Sequence, residues 1–121
     1  MPQSDKPVTP APKDAAAAIT EAEAADLISR GAYLLDVRTR MGSMFGVIPG
    51  ARWMPLARLW ECFHELPPDK PILTYCRTVR RAGKATLELE DVGFHAVNGG
   101  RFKTIAKLVK ANAASAAALP R

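Results

Sequence analysis

Cys76 is the residue of this sequence that is best suited to act as a nucleophile. It ends the apolar run 71–75, and the cation-rich segment 77–81 follows it before a helix-forming stretch that begins at Ala82. This order predicts a strand, a thiol, a cationic loop and a helix. The unpaired N–H groups at a helix N-terminus and the nearby guanidinium groups both favour thiolate over thiol. We therefore expect Cys76 to be ionised, reachable from solvent and surrounded by a field that attracts an anionic substrate.

A cysteine that only packs in the core is the other interpretation of Cys76. It does not explain why four cations crowd the residues that follow, where a plain connection between strand and helix favours Ser, Asp, Asn or Gly. These cations are Arg77, Arg80, Arg81 and Lys84. Two of the four can equally be solvated surface charges.

The composition predicts one globular domain with its own hydrophobic core. The chain has 121 residues, of which 48% are hydrophobic, and a net charge of +5, which favours an anionic partner. The sequence has no aromatic-rich basic patch of the kind that would indicate binding to nucleic acid. The two cysteines form no CxxC motif and have no histidines at ligand spacing, which indicates a reducing compartment and no metal site. Because no apolar segment suits a membrane helix or a signal peptide, we expect a cytoplasmic protein without membrane contact.

Proline content and apolar periodicity divide the chain into three parts. Residues 1–14 carry four prolines and little that can be buried, so we expect a disordered N-terminal arm. The folded domain is predicted over residues 15–112, and the alanine-rich tail 113–121 is expected to fray.

Strands and helices alternate within the predicted domain. Strands are predicted at 33–37, 51–55, 72–75 and 94–97, and helices after Thr20, from Leu56 to Leu66, after the 77–81 loop and over 102–109. Thr20 and Glu23 form a capping box, and residues 98–100 are predicted to form a tight turn. This alternation predicts an α/β domain whose central, mostly parallel sheet is flanked by helices on both faces. Cys76 then lies at the carboxyl edge of the sheet, where such folds bind ligands.

Five short motifs, in this order and spacing, resemble those of the rhodanese-like domain. They are Leu35-Asp36-Val37-Arg38-Thr39, Ile48-Pro49-Gly50-Ala51, Pro71-Ile72-Leu73-Thr74-Tyr75-Cys76-Arg77, Gly93-Phe94 and Asn98-Gly99-Gly100. The resemblance covers roughly residues 20–110 and implies the rhodanese-like fold. It also implies a thiosulfate sulfurtransferase without a cofactor, in which Cys76 is the catalytic nucleophile. Cys76 would take a sulfane sulfur from an anionic donor such as thiosulfate and hold it as a persulfide. The sulfur would then pass to a thiophilic acceptor, either cyanide or a thiol, including a thiol carried by a protein.

The resemblance assigns substrate binding to the loop after the cysteine. The backbone N–H groups of this loop would cradle the anion. They belong to Arg77, Thr78, Val79, Arg80 and Arg81. A loop of this length is similar to the sulfurtransferase branch, whereas the related phosphatases place one more residue between cysteine and arginine, which disfavours phosphatase and arsenate-reductase activity.

The sequence departs from the family pattern in the loop and around it. Family loops commonly place glycine where this chain has Val79, and a β-branched residue resists positive φ. Val79 therefore either adopts negative φ or distorts the cradle. Residues that usually buttress the loop are also missing before Ile48 and after Gly100. A non-catalytic module that binds an anion or a protein is therefore the alternative function.

The sequence also predicts an orientation or a role for each of the other polar residues singled out. Arg77 and Arg80 are expected to flank the mouth of the site, and Arg81 to turn inward to a carboxylate such as Asp36. Asp36 and Arg38 are expected to be structural. Thr78 either donates its hydroxyl to the substrate or caps the next helix. Packing or surface roles are expected for Cys62, His64 and His95.

Overall fold

Four apolar segments form one parallel sheet in the computed structural model of the protein, which describes residues 16–44 and 46–118. The strands are β1 (Tyr33–Asp36), β2 (Arg52–Trp53), β3 (Ile72–Cys76) and β4 (Ala96–Arg101). Their order across the sheet is β2-β1-β3-β4, and every adjacent pair is parallel. The prediction of a mostly parallel central sheet is confirmed.

Helices cover both faces of the sheet, as predicted. They are α1 (Glu21–Ser29), α2 (Arg40–Ser43), α3 (Leu59–Cys62), α4 (Arg80–Asp91) and α5 (Phe102–Ala118). The capping box of α1 is present, because the Thr20 hydroxyl accepts the Glu23 N–H and the Glu23 carboxylate accepts the Thr20 N–H. One apolar cluster joins the sheet to α3 and α4, and a second joins the opposite face to α1 and α5.

The segment from Leu56 to Leu66 is not the single amphipathic helix that its spacing predicts. The α-helical turn α3 lies between two short 3₁₀ turns, Leu56–Arg58 and Phe63–Glu65. Arg58 and Cys62 adopt ψ values of 0° and −3°, which interrupt the α-helical hydrogen-bond ladder. Leu59 and Leu66 still reach the core, whereas Trp60, predicted on the same face, is 55% exposed.

Residues 98–100 do not form the predicted tight turn, because β4 continues through them to Arg101. All three are buried in the sheet. A Cβ atom on Gly99 would lie 2.7 Å from the Thr74 carbonyl oxygen on β3. Glycine therefore permits a close approach of two strand backbones here, and the pair Gly99-Gly100 does not reverse the chain.

The ends of the chain were predicted as an arm and a frayed tail. The 1–14 arm lies outside the described residues. At the other end α5 continues to Ala118, so residues 113–118 are helical, in keeping with the high helix propensity of alanine, and 119–121 lie outside the described part. Over the described residues no helix has the length and apolar character that crossing a membrane requires.

Candidate active site at the carboxyl edge of the sheet

The Cys76 sulfur lies where the chain passes from β3 towards the N-terminus of α4. Sγ accepts a hydrogen bond from the Ala82 N–H at 3.2 Å. Ala82 is the third residue of α4, whose N-cap residue Val79 provides no side-chain cap. The sulfur thus occupies the position in which a capping side chain would accept one of the unpaired N–H groups. The predicted placement of the thiol at a helix N-terminus is confirmed.

The expectation that this sulfur is open to solvent is wrong for the observed conformation. Cys76 is only 1% exposed. The physical reason is twofold: Cys76 belongs to the buried apolar cluster under α4, and the loop folds back so that Sγ donates to the Thr78 carbonyl oxygen at 2.6 Å. This hydrogen bond uses the thiol proton, and loss of that proton would leave a negative sulfur facing the negative end of a carbonyl dipole. A nucleophilic Cys76 therefore requires the loop to move.

Val79 adopts negative φ, the first of the two alternatives that the sequence left open. Its φ and ψ are −95° and −23°, and no non-glycine residue in the described ranges has positive φ. With this negative φ, the peptide between Thr78 and Val79 turns its carbonyl towards the sulfur. Valine at the position where family loops commonly have glycine is thus associated with a closed loop, in which a carbonyl oxygen faces the thiol.

Asn98 connects the loop to the rest of the fold, a role that the sequence did not indicate. Its side-chain N–H groups donate to the carbonyl oxygens of Val79 at 3.2 Å and of Ala16 at 2.8 Å. Its Oδ1 accepts the Gly100 N–H at 2.8 Å, and the residue is 1% exposed. Asn98 therefore holds the end of the loop against β4 and the segment before α1. The tight turn predicted at residues 98–100 gave no indication of these contacts.

Asp36 pairs with Arg38 and not with Arg81, so the inward orientation predicted for Arg81 is wrong. The Arg38 Nη2 and Nε atoms donate to the Asp36 carboxylate at 2.7–3.1 Å, and both side chains are almost fully buried. Arg38 is two residues from Asp36 and satisfies the carboxylate locally, which leaves Arg81 exposed at the surface. The structural role expected for Asp36 and Arg38 fits this geometry.

Arg38 also organises the segment that follows β1. It donates to the carbonyl oxygens of Gly42 and Gly46, and its guanidinium lies 4.0 Å from the centre of the Phe102 ring. The Trp53 indole N–H donates to the Arg38 carbonyl oxygen at 2.9 Å. The buried guanidinium therefore links Gly42, Gly46 and the start of α5 at the carboxyl edge of the sheet, while the main-chain carbonyl of Arg38 holds Trp53 of β2.

Tyr75 lies beneath this edge on the face opposite to Cys76. Its hydroxyl is buried without a hydrogen-bond partner among the residues that the structure describes. Burial, and secondarily the negative charge of Asp36, raise the pKa of the Tyr75 phenol above its ordinary value. Tyr75 is therefore neutral at physiological pH and contributes packing, with its ring 6.1 Å from that of Phe102.

The loop cations separate into two groups. Arg77 and Arg81 line a cleft of about 640 Å³ at the carboxyl edge of the sheet, and Arg81 also lines a second cleft of about 420 Å³ beside Trp60 and Lys84. Arg80, expected at the mouth, is exposed and lines neither cleft. Arg81 thus takes the place predicted for Arg80, because its side chain projects from the first turn of α4 towards both clefts.

The remaining predictions from the sequence concern Thr78, Cys62, His64 and His95. Thr78 does not cap α4, because the N-cap residue is Val79. Cys62 is partly buried against the core, and His64 and His95 are exposed. In the ranges 16–44 and 46–118, no three His, Cys, Asp or Glu side chains gather as metal ligands would.

Comparison with known proteins assigns the chain to a family. The family model of the rhodanese-like domain matches residues 20–104, a span that contains the sheet, the loop between Cys76 and α4, and Asn98. The chain belongs to the rhodanese-like domain family. The family includes sulfurtransferases and proteins without catalytic activity.

Individual relatives support the rhodanese-like fold. The uncharacterized protein YqhL of Bacillus subtilis (strain 168) is 39% identical over 64 residues, which are 53% of this chain and 51% of YqhL, so the chain spans about half the length of this curated relative. The reduced CoADR-RHD protein of Bacillus anthracis has a TM-score of 0.64 and 28% identity over 79% of this chain, but over only 17% of its own chain. The rhodanese-like domain protein of Staphylococcus aureus has a TM-score of 0.65 and 25% identity over 74% of this chain and 90% of its own.

Proposed function

We propose that this rhodanese-like protein is a sulfurtransferase that carries sulfur as a persulfide on Cys76. The donor is a small anionic sulfane compound such as thiosulfate, and the acceptor is a thiophilic nucleophile such as cyanide or a thiol. The observation that carries the proposal is the hydrogen bond from the Ala82 N–H to the Cys76 sulfur at the N-terminus of α4. An N–H donor and the positive end of a helix stabilise a sulfur anion.

The charges around the loop support an anionic donor. Arg77 and Arg81 are exposed beside the loop, and neither has an acidic partner among the described ion pairs. Their positive potential would raise the local concentration of thiosulfate at the carboxyl edge of the sheet.

The proposed chemistry has two displacement steps. The Cys76 thiolate attacks the outer sulfur of thiosulfate, the S–S bond breaks, and sulfite leaves with the bonding electrons. The acceptor then attacks the outer sulfur of the persulfide and the electrons of that S–S bond return to Cys76. No general base is needed, because only a thiolate and a stable leaving group take part. The Thr78 carbonyl must move away from the sulfur before the first step, because it covers the thiol in the closed loop.

Burial of the thiol is the observation that favours the second candidate, a non-catalytic module. In that function the closed loop never opens, and the exposed cations alone bind an anion or an acidic partner. The two candidates differ in whether Cys76 itself reacts.

Replacement of Cys76 by serine is expected to abolish thiosulfate-dependent formation of thiocyanate from cyanide. Serine fills the same space but its hydroxyl does not form a persulfide. Cys62→Ser is the matched control and should keep the wild-type rate, because Cys62 packs against the core and lines neither cleft. Steady-state thiocyanate formation measures both variants. Equal rates for Cys76→Ser and the wild type would refute the assignment of Cys76.

Replacement of Arg77 by glutamine is expected to slow turnover with thiosulfate about threefold at low ionic strength and much less at high salt. Salt screens the attraction between exposed charges, so a recruiting charge loses its effect as salt is added. The kcat/KM for thiosulfate, measured over a series of salt concentrations, tests this. Lys70→Gln is the control, because Lys70 precedes β3 at the opposite edge of the sheet. An Arg77→Gln effect that does not change with salt would remove the recruiting role.

A further inference from the structure

The 640 Å³ cleft beside the loop is much larger than thiosulfate requires. It lies where β1, β3 and β4 end, and segments from all three strand ends contribute to its wall. The lining residues are Arg38, Thr39, Met41, Gly42, Arg77, Arg81, Arg101, Phe102 and Lys103. Sites for organic ligands usually have volumes of about 300–1,000 Å³, so this cleft has room for a ligand well beyond a five-atom inorganic ion.

The charge of this cleft is entirely positive apart from one internal pair. Arg38 is neutralised by Asp36, but Arg77, Arg81, Arg101 and Lys103 are exposed, and no ion pair of theirs is found within the described ranges. Among the residues that the structure describes, none with an acidic side chain lines the cleft. Four like charges that face one concave surface repel each other, and a bound polyanion would remove that repulsion.

The N-termini of two helices add to the positive electrostatic field of the cleft. Arg81 lies in the first turn of α4, and Phe102 and Lys103 begin the 17-residue helix α5. Both helices thus direct the positive ends of their dipoles to the carboxyl edge of the sheet. Arginine guanidinium groups present paired N–H donors that match phosphate oxygens.

The wall of the cleft is not uniformly polar. Met41 is 71% exposed there, and Phe102 contributes its partly buried ring. An inorganic ion would leave this apolar surface uncovered, whereas the organic part of a larger ligand would cover it.

From these features we infer that the cleft formed by Arg77, Arg81, Arg101, Lys103, Met41 and Phe102 is a binding site for a small organic molecule with two or more phosphate groups. The phosphates contact the four unpaired cations, and the organic part lies against Met41 and Phe102. The site does not depend on sulfur transfer, because Cys76 is not part of its lining.

Calorimetric titration of the Cys76→Ser protein tests this site separately from catalysis. The probes are ATP, tripolyphosphate and thiosulfate. We expect ATP to bind more tightly than tripolyphosphate, because only ATP covers the apolar wall, and both to bind at least about tenfold more tightly than thiosulfate, because they contact several cations at once.

The test variant is the double substitution Arg101→Gln with Lys103→Gln, and Lys70→Gln with Lys110→Gln is its matched control. Both remove two positive charges from exposed positions, but Lys70 and Lys110 do not line the cleft. The test variant should weaken ATP binding about tenfold or more, and the control by less than about twofold. Equal weakening by both variants would show that only the net charge attracts ATP, and absence of ATP binding to the parent protein would overturn the site outright. Neither result bears on whether Cys76 accepts sulfur from thiosulfate.

Discussion

Replacement of Asp36 by alanine is expected to lower the free energy of unfolding by about 3–5 kcal/mol. Asp36 and Arg38 form an ion pair in which both side chains are nearly inaccessible to solvent, at 3% and 4% exposure. Removal of the carboxylate leaves a guanidinium buried without its counter-charge, and the hydrogen bonds to Gly42 and Gly46 replace only part of that stabilisation. Equilibrium unfolding in urea measures the change.

Asp26→Ala is the matched control for this substitution. Asp26 pairs with Arg30 on the surface of α1, where both side chains are more than half exposed. Exposed pairs contribute about 0–1 kcal/mol, so the control should unfold almost like the wild type. If the two substitutions destabilised the protein equally, the buried pair would not be the element that holds the carboxyl edge together.

Replacement of Val79 by glycine is expected to raise the rate of thiosulfate turnover about tenfold. To turn its N–H towards the sulfur in place of the Thr78 carbonyl, the Thr78–Val79 peptide must rotate by a half-turn. That rotation takes φ of residue 79 from −95° to roughly +85°. Positive φ costs a residue with a Cβ atom about 1–2 kcal/mol, which glycine does not incur, and about 1.4 kcal/mol corresponds to tenfold.

Val79→Ala separates the conformational effect from a packing effect. Alanine removes most of the valine side chain but keeps the Cβ atom that disfavours positive φ. The rate of Cys76 alkylation by iodoacetamide, compared with the rate for Cys62 in the same protein, gives a readout of loop opening that is independent of turnover. Only glycine should accelerate alkylation of Cys76. Equal acceleration by alanine would show that valine acts through its bulk.

The sequence predicted those features that depend on local pattern. The Thr20 and Glu23 capping box, the apolar strands and the position of Cys76 ahead of α4 all follow from residues close together in the chain. The parallel sheet followed from the alternation of strands and helices. The significance of valine at position 79 was also visible, because the allowed backbone angles of a β-branched residue are a local property.

The features that sequence reasoning missed depend on partners distant in the chain. Asn98-Gly99-Gly100 has the composition of a turn, but a strand forms because Gly99 allows close contact with Thr74. The side chain of Asn98 reaches Val79 and Ala16, contacts that no local pattern predicts. Arg81 was expected to turn inward to a carboxylate such as Asp36, yet Arg38 pairs with that carboxylate. The burial of Cys76 depends on one peptide orientation in a short loop, which the residue types alone did not determine.

The central claim, that Cys76 accepts a sulfane sulfur, is tested most directly by the intact mass of the protein after incubation with thiosulfate and removal of excess reagent. We predict one added sulfur atom, located by peptide mapping on Cys76, absent in Cys76→Ser and formed faster in Val79→Gly. An unchanged mass in both the wild type and Val79→Gly, or a sulfur atom found on Cys62 alone, would contradict the claim.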